Sequence, residues 1–239
     1  MSPRPEYLPL RVAAVQPSCV SYDLDANAVT HAAVIRAADA HVVVFPELSM
    51  TGYELDAEAI SVDDPRLTPI VNACAETGSL ALIGAPIDAG RGRPQIAMLG
   101  VDGVGATIAY SKIWLYGTEA ERFGPGSKPA VVEVRGWRLG LAICRDTAVP
   151  QHAADTAALG IDAYVAGVTE TADRWAVVDG RARHAALAHG VCVVIASFAG
   201  PTGGGFDRTA GRSGIWTREG VPIARAGPEP GAIARVTLV

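Results

Sequence analysis

Hydrophobic residues along the chain fall into two alternating rhythms. Short apolar runs at residues 11–16, 41–45, 80–84, 139–143, 163–166 and 191–197 have the length and β-branched content of strands buried on both faces. Between them lie stretches with helical spacing. Leu24, Ala28, Ala32 and Ile35 recur at intervals of four, four and three behind Asp23, a residue suited to cap the helix they imply. Further helices are expected at about 65–77, with Gly78 as C-cap, and at 151–159 and 174–189. Pro46 ends the second apolar run because it cannot donate to a strand ladder. Residues 95–101 and 104–110 read as a hairpin turning at Asp102-Gly103, a dipeptide that tolerates positive φ. Residues 130–134, a turn at Gly136, and runs at 213–217, 221–226 and 232–238 add further strands. Strands alternating with helices predict an α/β fold of mixed sheets covered by helices, and without a linker or composition shift residues 1–239 are expected to form a single domain.

Composition narrows the functional classes. With 49% hydrophobic and 19% charged residues the chain has the makeup of a folded protein. A net charge of -5 gives no electrostatic ground for binding nucleic acid or an anionic membrane, so neither partner is expected. No apolar run reaches the ~20 residues that span a bilayer, and residues 1–6 lack the basic and apolar pattern of a secretory leader. A cytoplasmic location follows as an expectation. Cys19, Cys74, Cys144 and Cys192 form no CxxC pair and read as free thiols. The five histidines have no HxxxH or HExxH spacing, so no metal site is expected. Residues 200–205, Gly-Pro-Thr-Gly-Gly-Gly, lack the endings of phosphate loops and read as a plain mobile loop. Of the 20 basic residues only Lys112 and Lys128 are lysine. A lysine kept in so arginine-rich a chain suggests a need for a compact ammonium.

Three reactive residues fall at strand ends, where α/β sheets place their ligand crevice: Glu47, Lys112 and Cys144. A thiol needs a base, an oxyanion needs donors, and a leaving amine needs a proton. These three side chains can supply all of that. Cys144 paired with His152 is an alternative dyad, but it leaves Glu47 and Lys112 unexplained.

The segments VVVFPELSMTGYEL around Glu47, YSKIWL around Lys112 and LGLAICRD around Cys144 resemble, in order and spacing, the three signatures of the nitrilase superfamily of carbon-nitrogen hydrolases. The resemblance implies a four-layer α-β-β-α sandwich with two mixed β-sheets, and a homodimer or larger assembly. It implies hydrolysis of a non-peptide C–N bond, most simply in a small carboxamide, with no metal or cofactor. Cys144 would form a thioester, Glu47 would carry protons, and Lys112 would hold the oxyanion with help from the Arg145 backbone N–H. Glu119 matches a second active-site glutamate, with Glu121 as the fallback. The Arg145 side chain either pairs outward or meets a substrate carboxylate. Nitrile hydrolysis, acyl transfer to an amine, and a catalytically silent binding protein remain the alternatives. The chain also departs from the pattern. It has Val149-Pro150-Gln151 where the family commonly reads Phe-Pro-Glu, which removes one expected support of the nucleophile. Thr147 and Ala148 stand where members acting on N-carbamoyl amino acids tend to carry arginine, which argues against that specificity.

Overall fold

The structure, a computed structural model, describes residues 8–90 and 92–239; the leader pattern sought at residues 1–6 lies outside them. Twelve strands form two six-stranded sheets among the described residues. The first contains β1 (Leu10–Val15), β2 (Val42–Val44), β3 (Leu80–Ile87), β4 (Gln95–Val101), β5 (Ala106–Ser111) and β12 (Ile233–Leu238), in the order β12-β1-β2-β3-β4-β5. The second contains β6 (Val131–Val134), β7 (Trp137–Ile143), β8 (Ala163–Val168), β9 (Cys192–Ser197), β10 (Gly214–Trp216) and β11 (Pro222–Arg225), in the order β11-β10-β9-β8-β7-β6. Each sheet is mixed. Its three central strands, β1-β2-β3 or β7-β8-β9, run parallel and its outer pairs antiparallel.

The period-two alternation of the strands builds the layers. On β1, Val12 and Ala14 face the second sheet, where they join Leu139, Leu141, Val165 and Val194. Ala13 and Val15 face the other way, towards α1 (Leu24–Ala38) and α2 (Thr68–Thr77). Ala166, Val193 and Ile195 on the second sheet meet α4 (Pro150–Ala157) and α5 (Trp175–His189) in a third cluster. Helices thus cover both outer faces, giving the expected α-β-β-α order.

Most expected elements form where the periodicity placed them. Asp23 caps α1 by accepting from the Ala26 N–H at 2.9 Å, and Gly78 closes α2 in the left-handed region. Residues 65–67 form a separate 3-10 turn capped by Asp64, because its side chain binds the Arg66 N–H ahead of α2. A short helix, α3 (Glu119–Arg122), appears where no periodicity announced one. The hairpin turn also differs from expectation. It spans residues 102–105, with Asp102 Oδ1 accepting from the N–H groups of Val104 and Gly105. Gly103 does not take a positive φ there. It is glycine because a Cβ would lie 2.8 Å from the Ala75 Cα on α2.

Two other glycines set the position of the turn that follows β2. A Cβ on Gly84 of β3 would come within 2.4 Å of the Pro46 carbonyl oxygen and of the Leu48 nitrogen. A Cβ on Gly167 of β8 would come within 2.6 Å of the Phe45 carbonyl oxygen. The turn bearing Glu47 is therefore clasped between one bare backbone from each sheet. Gly84→Ala and Gly167→Ala should each destabilise the fold by about 1–3 kcal/mol, the usual range for forcing a methyl into a packed interior. Denaturant unfolding measures this, and wild-type stability in both variants would show that the turn is not held by close approach.

Candidate active site

The ends of β2, β5 and β7 deliver three of the expected residues to one place, and α3 delivers the fourth. Lys112 follows β5 directly, its N–H bonded to Ile96 O at 2.8 Å and its carbonyl taken by the Gly126 N–H at 2.7 Å. Its fully buried Nζ donates to Glu47 Oε1 and to Glu119 Oε1, each at 2.7 Å. Glu119 is fixed by two more donors. The Tyr53 hydroxyl reaches Oε1 at 2.5 Å and the Tyr116 N–H reaches Oε2 at 2.7 Å. Glu121 is exposed, so the structure brings Glu119 and not Glu121 to the cluster.

Cys144 begins a 3-10 turn immediately after β7, with φ of 43°, in a left-handed region that costs a non-glycine residue roughly 1–2 kcal/mol. Its Sγ lies 3.4 Å from Thr169 O. Among the described residues two buried side-chain polar atoms have no hydrogen-bond partner, Glu47 Oε2 and Thr169 Oγ1. Both belong to residues beside this thiol. A buried orphan acceptor typically costs about 1–3 kcal/mol, so its retention at one site points to use.

The electrostatics of the cluster are those of poised proton carriers. Burial raises the Glu47 carboxyl to about 7 against the pull of the Lys112 ammonium, and Glu119 adds to the rise. Burial also pushes the Cys144 thiol well above its ordinary value; Glu47 acts in the same direction and Lys112 against it. Burial opposes the Lys112 charge too, but Glu47, Cys144 and Glu119 outweigh it and hold the ammonium above the usual lysine range. The resting thiol is therefore protonated, beside a carboxyl that can exchange a proton near neutrality.

Support for the nucleophile comes from Asp146. Fully buried, it accepts from the Ile143 N–H at 3.0 Å and the Trp114 N–H at 2.9 Å, while the Tyr110 hydroxyl donates to it at 2.7 Å. Tyr110 in turn meets His152 Nε2 at 2.8 Å, and His152 Nδ1 meets the Tyr164 hydroxyl at 2.8 Å. Because the Tyr110 proton goes to Asp146, its oxygen takes the Nε2 proton, and Nδ1 accepts from Tyr164. His152 is thus spent on positioning two tyrosines, and the Cys144–His152 dyad does not form. Gln151, where a supporting glutamate was missing, is exposed and bonds Asp155 at 2.7 Å, away from the thiol.

A cleft of about 510 Å³ opens over Cys144. Tyr53, Leu55, Tyr116 and Phe206 supply its apolar wall, and Arg145, Arg174 and Arg181 line its polar side with Glu170. The glycine loop expected to be a bystander contributes Gly204 and Gly205 to this lining, and Thr202 Oγ1 accepts from the Tyr53 N–H at 2.8 Å. The sequence reading missed Tyr53, although it stands within the segment around Glu47, and missed Arg181, whose place on α5 carries no local signal. Arg145 does not pair outward among the described residues; its guanidinium lies 5.7 Å from the Tyr116 ring centroid. Cys19 and Cys74 are pushed by burial to about 12 and about 11, consistent with thiols that pack rather than react.

Two stacked mixed sheets carrying a thiol, a carboxylate and an ammonium at their strand ends, with a second carboxylate supplied by α3, define a nitrilase-fold enzyme. Residues 11–238 match the carbon-nitrogen hydrolase family, and the chain belongs to it. A CN-hydrolase superfamily protein from Xanthomonas campestris, solved with an arsenic adduct in its active site, superposes with a TM-score of 0.85 at 20% identity, over 97% of this chain and 91% of that one. An amidase from Nesterenkonia sp. AN1, solved as a cysteine-to-alanine mutant in complex with butyramide, gives a TM-score of 0.85 at 24% identity, over 96% of this chain and 90% of that one. In sequence the chain is 28% identical over 205 residues to a hydrolase of Pseudomonas protegens, covering 82% of this chain and 71% of that protein. It is also 28% identical over 134 residues to an (R)-stereoselective amidase of a Pseudomonas species, covering 54% of this chain and 48% of the amidase.

Asp146→Asn tests the support of the nucleophile turn. An amide keeps the shape but turns one acceptor into a donor facing other donors, and the loss should be roughly 3 kcal/mol. Gln151→Glu should be close to neutral in the same unfolding experiment. If Asp146→Asn were as mild as Gln151→Glu, the turn would owe its position to something else.

Proposed function

We propose that this carbon-nitrogen hydrolase cleaves a small carboxamide to the acid and ammonia through a thioester on Cys144. The orphan oxygen of Glu47 beside a protonated thiol carries the reading. As Sγ attacks the carbonyl carbon, the thiol proton passes to Glu47 and negative charge develops on the carbonyl oxygen. The Lys112 ammonium and the Arg145 backbone N–H are the donors for that oxygen. Glu47 then gives the proton to the departing nitrogen, the C–N bond breaks, and ammonia leaves. Water attacks the thioester carbon, losing a proton to Glu47, and the proton returns to sulfur as the acid is released. Glu119 orients Lys112 and the substrate. The proposal takes over the homodimer or larger assembly and the cytoplasmic setting expected from the sequence. Four free cysteines suit a reducing compartment.

Cys144→Ala and Cys144→Ser should both abolish ammonia release from short amides while the fold survives. The rate kcat/KM should rise with pH through about 7, because only the ionised form of Glu47 accepts the thiol proton. Glu47→Gln should slow both thioester formation and its hydrolysis, read by single-turnover kinetics with mass spectrometry of the adduct. Substantial turnover by either Cys144 variant would refute the mechanism.

Lys112 and Glu119 give a separate test. The Lys112→Arg variant must fit a planar fork where a compact ammonium sits between two carboxylates, and activity should fall about a hundredfold or more, the scale of losing an oxyanion donor. Glu119→Gln should cost clearly more than Glu121→Gln, which removes an exposed carboxylate. Near-normal kinetics for Lys112→Arg would reduce the lysine to a generic positive charge.

A further inference from the structure

The buried face of α1 is apolar at Leu24, Ala28, Ala32 and Ile35 but also carries Asn27 and His31, both fully buried. Burying polar side chains costs free energy unless their atoms are matched, and aliphatic residues would have packed the same stripe. The matches lead to the segment after Glu47. Asn27 Nδ2 donates to Val20 O at 2.7 Å and to Met50 O at 3.0 Å. His31 Nδ1 lies 2.7 Å from Asn27 O, and Nε2 lies 2.9 Å from Ser49 Oγ. A carbonyl only accepts, so Nδ1 carries the ring proton and Nε2 takes the Ser49 hydroxyl proton. The ring also stacks on Phe45, 13° from parallel with centroids 4.3 Å apart. One imidazole thus grips the residues two before and two after Glu47.

That corner needs holding. Leu48, next to Glu47, sits at φ 51°, a left-handed conformation that a bulky side chain disfavours. The Ser49 N–H reaches Pro46 O only at 3.4 Å, and Cys19 Sγ meets Ser49 O at 3.4 Å, so the 2.9 Å bond to His31 is shorter than either. Ser49 and His31 are fully buried, which keeps this hydroxyl and imidazole from serving as a second nucleophile. Burial also keeps the ring neutral, its pKa pushed down to about 4, so its acceptor persists where Glu47 exchanges protons. We infer that His31 is a positioning residue for Glu47: through Ser49 and Phe45 it fixes the corner from the α1 side and keeps the carboxylate dry beside the Cys144 thiol. The inference rests on Glu47 as proton carrier in the hydrolase reading. Glu47 faces Lys112, Glu119, Cys144 and Tyr53, and burial is the largest cause of its raised pKa. A corner released from α1 would admit water, lower that pKa and draw the carboxylate away from sulfur.

Alkylation of Cys144 by iodoacetamide, followed across pH by mass spectrometry of its peptide, reads the proton transfer from thiol to Glu47 without needing a substrate. The wild-type rate should rise through about pH 7 to a plateau. Ser49→Ala and His31→Leu should each lower the plateau about tenfold or more, since an ångström of misplacement can cost about a hundredfold, and should move the rise to lower pH. Their combination leaves no unmatched partner, so the unfolding midpoint should return towards wild type while the plateau stays low. His31→Gln, whose amide oxygen can accept from Ser49, should keep part of the rate, and Ile35→Val, on the same buried face of α1, should leave the profile unchanged. A wild-type profile in Ser49→Ala and His31→Leu overturns the inference, as does a lower plateau with an unmoved rise, or a plateau that recovers together with stability in the double variant. If His31→Leu fails to fold, Ser49→Ala and His31→Gln decide by the same outcomes. Glu47→Gln and ammonia release separate the two readings. Slow alkylation in Glu47→Gln beside wild-type profiles in the other variants would sink the positioning role and keep the mechanism. The expected shifts without ammonia release from any short amide would keep the positioning role and sink the hydrolase reading, and wild-type alkylation by Glu47→Gln would overturn both.

Discussion

The Lys112 ammonium lies 2.7 Å from one oxygen of Glu47 and 2.7 Å from one of Glu119, with all three side chains out of water. Stripping each ion of its hydration costs several kcal/mol, and mutual attraction offsets this only where the geometry is held closely. Much of the surrounding architecture does that holding. The backbone at Lys112 is pinned on both sides, Glu119 is tied by Tyr53 and the Tyr116 N–H, and the Glu47 turn is squeezed between two glycines. Burial keeps the thiol protonated and gives Glu47 its affinity for a proton, and with two carboxylates sharing one ammonium the Lys112 charge does not cancel that rise. Position and protonation are thus set by the same packing.

Asp146 extends this rigidity across the two sheets. Tyr110 belongs to β5 at the edge of the first sheet, and its hydroxyl reaches Asp146 just past the end of β7 in the second. Trp114, two residues beyond Lys112, gives the same carboxylate its backbone N–H. The ammonium and the nucleophile are therefore registered against each other through one buried acid, and a slip of one sheet over the other would break both bonds.

What could be read from the chain followed the range of the signal. Strands, helices and their caps depend on neighbours within a few residues, so Asp23, Gly78 and the apolar runs located them. Glu47, Lys112, Cys144 and Glu119 stood out because each sits in a local word. Tyr53 and Arg181 did not, since Tyr53 acts on Glu119, 66 residues away in sequence, and Arg181 meets Cys144 and Arg145 only because the fold brings α5 to the wall of their cleft. Asp102-Gly103 misled for a related reason. Glycine there answers a helix that passes close by, not the needs of the turn. Gly84 and Gly167 are silent in sequence altogether, because what excludes a side chain is the backbone of a third segment.

The first sheet closes by pairing β1 with β12, Leu10 opposite Leu238 and Val15 opposite Ile233. At ~5–20 residues per second of synthesis, β12 follows β1 from the ribosome after an interval on the order of tens of seconds. Until it arrives, one side of β1 presents unpaired amides flanked by valine and alanine, the kind of margin that recruits strands from other chains. A nascent molecule thus passes through a period in which its most adhesive border is open, and chaperone occupancy during translation should matter more to its yield than the stability of the finished fold.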